Sequence, residues 1–230
     1  MNDPIELKVP LGEGAETTAL LYAAAGRHAS ATYILAHGAG AGQRSGFIVS
    51  FGHALSALGL DVVSFNFPFT EQHRRFPDRT PVLEHCYRAV IDVVRADVTS
   101  ARTALVIGGK SMGGRMATHI AAAAHRPTLA GIVLLGYPLH PPRKPLERRD
   151  AHLQAIECPM LFVQGSRDPF GTPDELAPIV ATLRPEPTLH VIANGDHSFH
   201  VPRRNPVGQA AVFEDVQRVI ADWIRGLTRR

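Results

Sequence analysis

A chain of 230 residues with a formal net charge of +3 and 20% charged residues has the size and polarity of one globular domain with a sizeable core. Its basic residues are mostly arginine and are scattered, whereas a nucleic-acid protein concentrates them on one face. No apolar run approaches the length of a membrane span. The expectation is no nucleic-acid partner and no membrane partner. The opening Met1-Asn2-Asp3-Pro4 has neither the basic start nor the apolar core of a signal peptide. Cys86 and Cys158 have no metal-type spacing and read as buried thiols. Together these features point to a cytoplasmic protein.

In chain order, Ile5 to Val9 and Ala19 to Ala23 read as short opening strands that could pair as a hairpin. Thr32 to Ala36 is a compact strand that ends in His37-Gly38-Ala39-Gly40-Ala41-Gly42. Phe47, Phe51, Leu55 and Leu58 recur at near-helical spacing, and Val62 to Phe67 is a strand ended by Pro68. Leu83, Cys86, Tyr87, Val90, Ile91 and Val94 form an i, i+3, i+4 stripe, so this helix packs one face on a sheet. A strand from Leu105 leads into a helix through Met116, Ala117, Ile120 and Ala124. Then come a strand over Gly131 to Leu135, a proline-rich basic loop over Pro138 to Arg149, and a strand over Met160 to Gln164. A helix over Pro173 to Leu183, a strand over Leu189 to Ile192 and an amphipathic helix through Val212, Val216, Val219, Ile220, Trp223, Ile224 and Leu227 complete the chain. There is no internal repeat and no linker, so residues 1–230 read as one domain. Strands alternating with helices imply a mostly parallel twisted sheet with helices on both faces. Such sheets bind ligands at the carboxyl ends of their strands.

One turn stands out. Gly109-Lys110-Ser111-Met112-Gly113 fits G-x-S-x-G, between a strand and a helix. A sharp strand-to-helix turn strains its central residue, and neighbours without a Cβ let the chain pass close by. Gly109 and Gly113 are those neighbours, and Ser111 stands at the tip. A P-loop reading fails, because it requires a glycine where Ala104 stands.

A serine hydroxyl needs a base to become a nucleophile, and imidazole suits that task. The base in turn needs a carboxylate to fix its tautomer. Asp168 follows the strand ending at Gln164, and His197 follows the strand ending at Ile192. The order Ser111, Asp168, His197 is that of an α/β-hydrolase triad. Asp168 alone could be a turn or capping aspartate, and His197 a satisfied loop histidine; His200 and Asp174 are their competitors. An oxyanion hole would use the backbone N–H of Met112 and, from the loop after Ala36, that of Ala39.

His37-Gly38-Ala39-Gly40, Gly109-Lys110-Ser111-Met112-Gly113-Gly114-Arg115, Gly136-Tyr137-Pro138-Leu139-His140-Pro141-Pro142 and Asp196-His197-Ser198-Phe199 together resemble the α/β-hydrolase superfamily along nearly the whole chain. The branch it looks most like is the dienelactone-hydrolase-like group. More narrowly, the Tyr-Pro-Leu-His-Pro-Pro loop is similar to a hydrolase-like family that includes a testis-expressed protein and a subunit of a chromatin-modifying complex. The resemblance implies a three-layer fold and a serine esterase or related acyl hydrolase that cleaves an ester, thioester or similar bond of a small-molecule acyl substrate. It implies no metal and no organic cofactor. Dienelactone hydrolases carry a cysteine where Ser111 stands, so their lactone specificity does not carry over. The alternatives are a non-catalytic binding module on the same fold and a serine peptidase. Tyr137 to roughly Ala155 is too short for a large cap domain, so the site should be fairly open, with this loop as a rim or small lid. Arg143, Lys144, Arg148 and Arg149 in that rim, with Arg203 and Arg204, read as a solvated surface or as a positive rim that steers anions.

Overall fold

The parallel strands of this chain are short apolar runs, the pattern expected where both faces of a sheet are covered. In the computed structural model, which describes residues 3–26 and 29–229, they form the centre of an eight-stranded sheet. Its strands are β1 (Ile5–Gly12), β2 (Ala15–Tyr22), β3 (Thr32–Ala36), β4 (Asp61–Phe65), β5 (Leu105–Lys110), β6 (Gly131–Leu135), β7 (Met160–Gly165) and β8 (Thr188–Ile192). Their spatial order is β1-β2-β4-β3-β5-β6-β7-β8. The hairpin β1–β2 is antiparallel and joins β4 antiparallel, and every pair from β4 through β8 is parallel.

Among the described residues, seven α-helices pack against this sheet: α1 (Gly46–Ala57), α2 (Pro68–Glu71), α3 (Thr80–Asp97), α4 (Ser100–Thr103), α5 (Met112–Ala122), α6 (Pro173–Val180) and α7 (Gln209–Thr228). Two apolar clusters divide them between the faces. Residues of α3, α5 and α6 pack with Ile34, Ile107 and Phe162 on one face. Those of α1 and α7 pack with Leu35, Val106 and Val163 on the other. Alternate residues of one strand therefore supply opposite faces. The α3 stripe is buried from Leu83 to Val94 as its spacing implies.

Several boundaries differ from the sequence expectation. Leu58 lies past the end of α1 and is exposed, because the chain turns at Gly59, whose φ is +91°. Pro68 opens α2 instead of merely ending a strand, since proline's fixed φ suits the first helical turn. The helix after Pro173 stops at Val180, three residues short of Leu183. Between β6 and β7 lie only a loop and a short 3₁₀ turn, Ala151–Ala155, so the fold carries no separate cap domain. Among the described residues, no helix is long and apolar enough to cross a membrane.

Candidate active site

The turn after β5 is built as its glycines imply. Ser111 has φ +51° and ψ −113°, a backbone state that side-chain-bearing residues rarely adopt. The surroundings hold it there: the Ser111 N–H donates to Leu135 O at 3.0 Å, and its carbonyl accepts the Arg115 N–H at 3.0 Å. Gly109 has φ +151°, and a Cβ there would sit 2.3 Å from Ala36 O. A Cβ on Gly113 would sit 2.6 Å from the same oxygen. Both positions therefore exclude any larger residue, and α5 can start directly against the end of β3.

Tyr87 supports this turn from below. Sequence periodicity assigns it only to the apolar stripe of α3. Its buried hydroxyl reaches the β5 backbone, donating to Gly108 O at 2.6 Å and accepting the Gly108 N–H at 2.9 Å. The hydroxyl thereby bonds both backbone polar groups of a residue inside the parallel ladder between β3 and β6.

The structure brings Ser111, His197 and Asp168 into one line. His197 Nε2 lies 2.8 Å from Ser111 Oγ, and His197 Nδ1 lies 2.7 Å from Asp168 Oδ2. A carboxylate only accepts, so Nδ1 carries the proton and Nε2 is left to accept from the serine hydroxyl. Asp168 is buried and makes two further bonds. Oδ1 accepts the Phe170 N–H at 2.8 Å, and Oδ2 accepts from Gln164 Nε2 at 2.9 Å. Gln164 also donates to Gly171 O at 2.7 Å and accepts the Tyr137 N–H at 2.8 Å. This buried amide ties the Asp168 loop to the end of β6. The sequence marked Gln164 only as a strand's last residue, and no local pattern signals its role.

The histidine loop is equally fixed. Asp196 Oδ1 accepts the N–H groups of Ser198 and His200 at 2.8 and 2.9 Å. Phe170 lies against the His197 ring, with centroids 4.2 Å apart. His200 also lines the cavity, but its ring lies against Phe213, with centroids 6.1 Å apart, and it makes no hydrogen bond to Ser111. It is exposed, and its nearest charged group is Asp196 at 3.7 Å. Asp174 lies in the first turn of α6, where a carboxylate faces the positive end of the helix.

On the opposite side, the loop after β3 packs onto the turn: a Cβ on Gly38 would lie 3.6 Å from Ser111 Cβ. His37 is fully buried beneath it. Its Nδ1–H donates to Gly38 O at 2.7 Å, and Nε2 accepts the Phe67 N–H at 3.2 Å. Burial lowers its pKa to about 4, the bond to Gly38 pulling only partly the other way. The ring is therefore neutral, which suits a group whose two nitrogens must do opposite things. Ala39 and Met112 both line the cavity beside Ser111. Neither N–H donates to another described residue outside regular elements.

Lys110 occupies a variable position of the G-x-S-x-G turn, where the pattern assigns it no role. It is buried, and its pKa is lowered to about 8 by desolvation, against which Asp168 and Asp196 push it back up. A Cβ on Gly136 would lie 3.1 Å from Lys110 Nζ and 3.2 Å from His197 Nδ1. A buried cation thus sits beside the His197–Asp168 pair.

All of this opens into a cavity of about 850 Å³. Phe47, Leu83, Phe170 and Phe213 contribute apolar walls. Of the basic residues in and near the rim, only Arg149 lines it; Arg143, Lys144, Arg148, Arg203 and Arg204 do not. Lys144 pairs with Glu147 at 2.7 Å and Arg148 with Asp150 at 3.1 Å.

A strained serine at a strand-to-helix turn, with loops from two later parallel strands converging on it, is the architecture of an α/β hydrolase. The chain belongs to the alpha/beta hydrolase domain family, whose sequence profile matches residues 29–225. Solved structures with the same fold include a lid-less α/β serine hydrolase from Xanthomonas campestris. It is 20% identical, with a TM-score of 0.74 over 97% of this chain and 96% of that one. A dienelactone hydrolase from Anabaena variabilis is 21% identical, with a TM-score of 0.71 over 96% and 97% of the two chains. Est1E from Butyrivibrio proteoclasticus, solved with ferulic acid bound, is 15% identical, with a TM-score of 0.75 over 97% and 100%.

Proposed function

We propose that this chain is a serine hydrolase that cleaves an ester, thioester or related acyl bond through an acyl-enzyme. The supporting observation is the unbroken series from Ser111 Oγ to His197 Nε2 at 2.8 Å and from His197 Nδ1 to Asp168 Oδ2 at 2.7 Å. In this reading Ser111 Oγ attacks the carbonyl carbon as its proton passes to His197 Nε2. The carbonyl π electrons move onto oxygen, which the Met112 and Ala39 N–H groups receive. The tetrahedral adduct collapses, the leaving group takes the proton from His197, and the acyl group stays on Ser111. Water then attacks with His197 again as base, releasing the acid and restoring the serine. Asp168 holds the imidazole in the tautomer that leaves Nε2 free to accept, and it faces the imidazolium formed at each transfer.

The small cap-free rim supports an open site for short soluble esters. Two unpaired thiols, Cys86 and Cys158, fit a reducing compartment such as the cytoplasm. The narrower resemblance carried by Gly136 to Pro142 would place the chain beside relatives that serve as assembly subunits, where the fold is a scaffold. Labelling with a fluorophosphonate separates the readings, because it requires both an activated serine and an oxyanion hole. The expected result is stoichiometric labelling at Ser111, none in Ser111→Ala, near-abolition in His197→Ala and retention in His200→Ala. No labelling, together with no turnover across esters, thioesters and peptides of graded size, would make the scaffold the better reading. Turnover of peptides alone would make the chain a peptidase.

A further inference from the structure

Arg115 lies one helical turn beyond Ser111, at the fourth residue of α5. Residues four apart share a helix face, and side chains lean toward the helix N-terminus, so Arg115 extends over the turn that holds Ser111. It lines the same cavity. Its Nε is buried without a hydrogen-bond partner. Among the described residues its guanidinium has no carboxylate at salt-bridge distance; Glu84, the nearby acid on α3, is bonded to His119 at 2.9 Å. The other arginine that lines the cavity is Arg149, whose fold contacts are made by backbone atoms. Its N–H donates to Leu139 O, and its carbonyl accepts the Tyr137 hydroxyl at 2.6 Å. Its side chain also has no carboxylate partner among the described residues, whereas Lys144 and Arg148 in the same segment do.

Two cations that line one cavity with no carboxylate at salt-bridge distance repel each other. Burial and the neighbouring Arg149 lower the pKa of Arg115, while Tyr137 and Glu84 pull it partly back up. A desolvated arginine left unpaired is costly, and a planar guanidinium pair matches the oxygens of a carboxylate or a phosphate. One acid does line the cavity: Asp78. It is bonded to Arg74 at 2.7 Å, and it is not among the groups that perturb Arg115.

We infer that Arg115 and Arg149 form an anion subsite of this cavity, and that the substrates are acyl compounds with an apolar body and a carboxylate or phosphate group. The inference rests on the hydrolase reading above for its link to turnover. The subsite itself is a matter of binding.

Matched esters test it. On the alcohol side, para-acetoxybenzoate and para-acetoxyphenyl phosphate are compared with methyl para-acetoxybenzoate. On the acyl side, phenyl hydrogen adipate is compared with methyl phenyl adipate. In at least one set the anionic ester should have a kcat/KM about tenfold or more above the neutral one, the scale of a hydrogen-bonded charge contact. That ratio should fall about tenfold in Arg115→Gln and in Arg149→Gln, and it should shrink with added salt. The benzoate and phosphate arms show which anion is preferred. Ratios near one in every set, or ratios unchanged by both substitutions, would overturn the inference. A parallel arm does not depend on turnover. In Ser111→Ala, calorimetry should show the anionic adipate binding more tightly than its methyl ester, with the difference lost when Arg149→Gln is added. Equal binding of the two would overturn the subsite even if the protein labels at Ser111. Anion binding without labelling would instead overturn the hydrolase reading and leave the subsite standing.

Discussion

The two sides of the cavity are built differently. The turn at Ser111, the loop at His37 and the loops carrying Asp168 and His197 are held by buried hydrogen bonds. The Tyr87 hydroxyl grips Gly108, His37 grips Gly38, and Gln164 joins Asp168, Gly171 and Tyr137. The segment between β6 and β7 is anchored by the Tyr137 hydroxyl on Arg149 O, but its outer stretch is held by exposed ion pairs, Lys144 with Glu147 and Arg148 with Asp150. Buried bonds cannot be exchanged for water and fix their groups closely, whereas exposed pairs contribute little. The difference assigns geometry to the first side and leaves the second free to vary, which is where recognition is best placed.

The largest expected effect is on the rigid side. Asp168 presents Oδ2 to both His197 and Gln164, and Oδ1 to the Phe170 N–H. An asparagine there faces a donor whichever way its amide turns. Asp168→Asn should therefore lower kcat by roughly four orders of magnitude, as loss of an orienting carboxylate does. A loss of less than about tenfold in steady-state ester turnover would show that Asp168 does not orient His197.

Acid should weaken the same side through His37. Its folded pKa of about 4 lies below the ordinary 6.5. Between those values the unfolded chain takes up a proton that the folded chain does not, so stability falls as pH drops from 6.5 toward 4 and levels off below. Burial at His152 lowers its pKa to about 4 as well, so the comparison must be with a single variant. Relative to His37→Asn, the native protein should lose about 2 kcal/mol more between pH 7 and pH 4.5 in urea unfolding. Parallel pH dependences would remove His37 as the cause.

The last test sets the two sides against each other. Tyr87→Phe removes the hydroxyl that bonds both Gly108 backbone groups and should cost about 1–3 kcal/mol. Glu147→Gln breaks an exposed pair and should cost at most about 1 kcal/mol. Equal losses in thermal unfolding would erase the distinction between the sides.

Much of the fold is legible in the chain itself. Apolar runs and the 3.6-residue stripe of α3 reflect burial, and burial is what those residues undergo. The turn at Ser111 is legible because the glycines it requires lie within a few positions of it. The candidate residues Asp168 and His197 are legible only through chain order, since each alone is an ordinary loop residue.

What tertiary structure alone decides is pairing between elements distant in sequence. Nothing near Gln164 announces that its amide will brace Asp168, and nothing near Tyr87 announces a hydroxyl inserted into β5. Of the arginines concentrated between Pro138 and Asp150, the sequence cannot say that Arg143 and Arg148 lie off the cavity while Arg149 lines it together with Arg115. The physical reason is range. Propensity and periodicity act over one or two turns of chain, whereas hydrogen bonding, ion pairing and desolvation depend on which surfaces the packed sheet brings together.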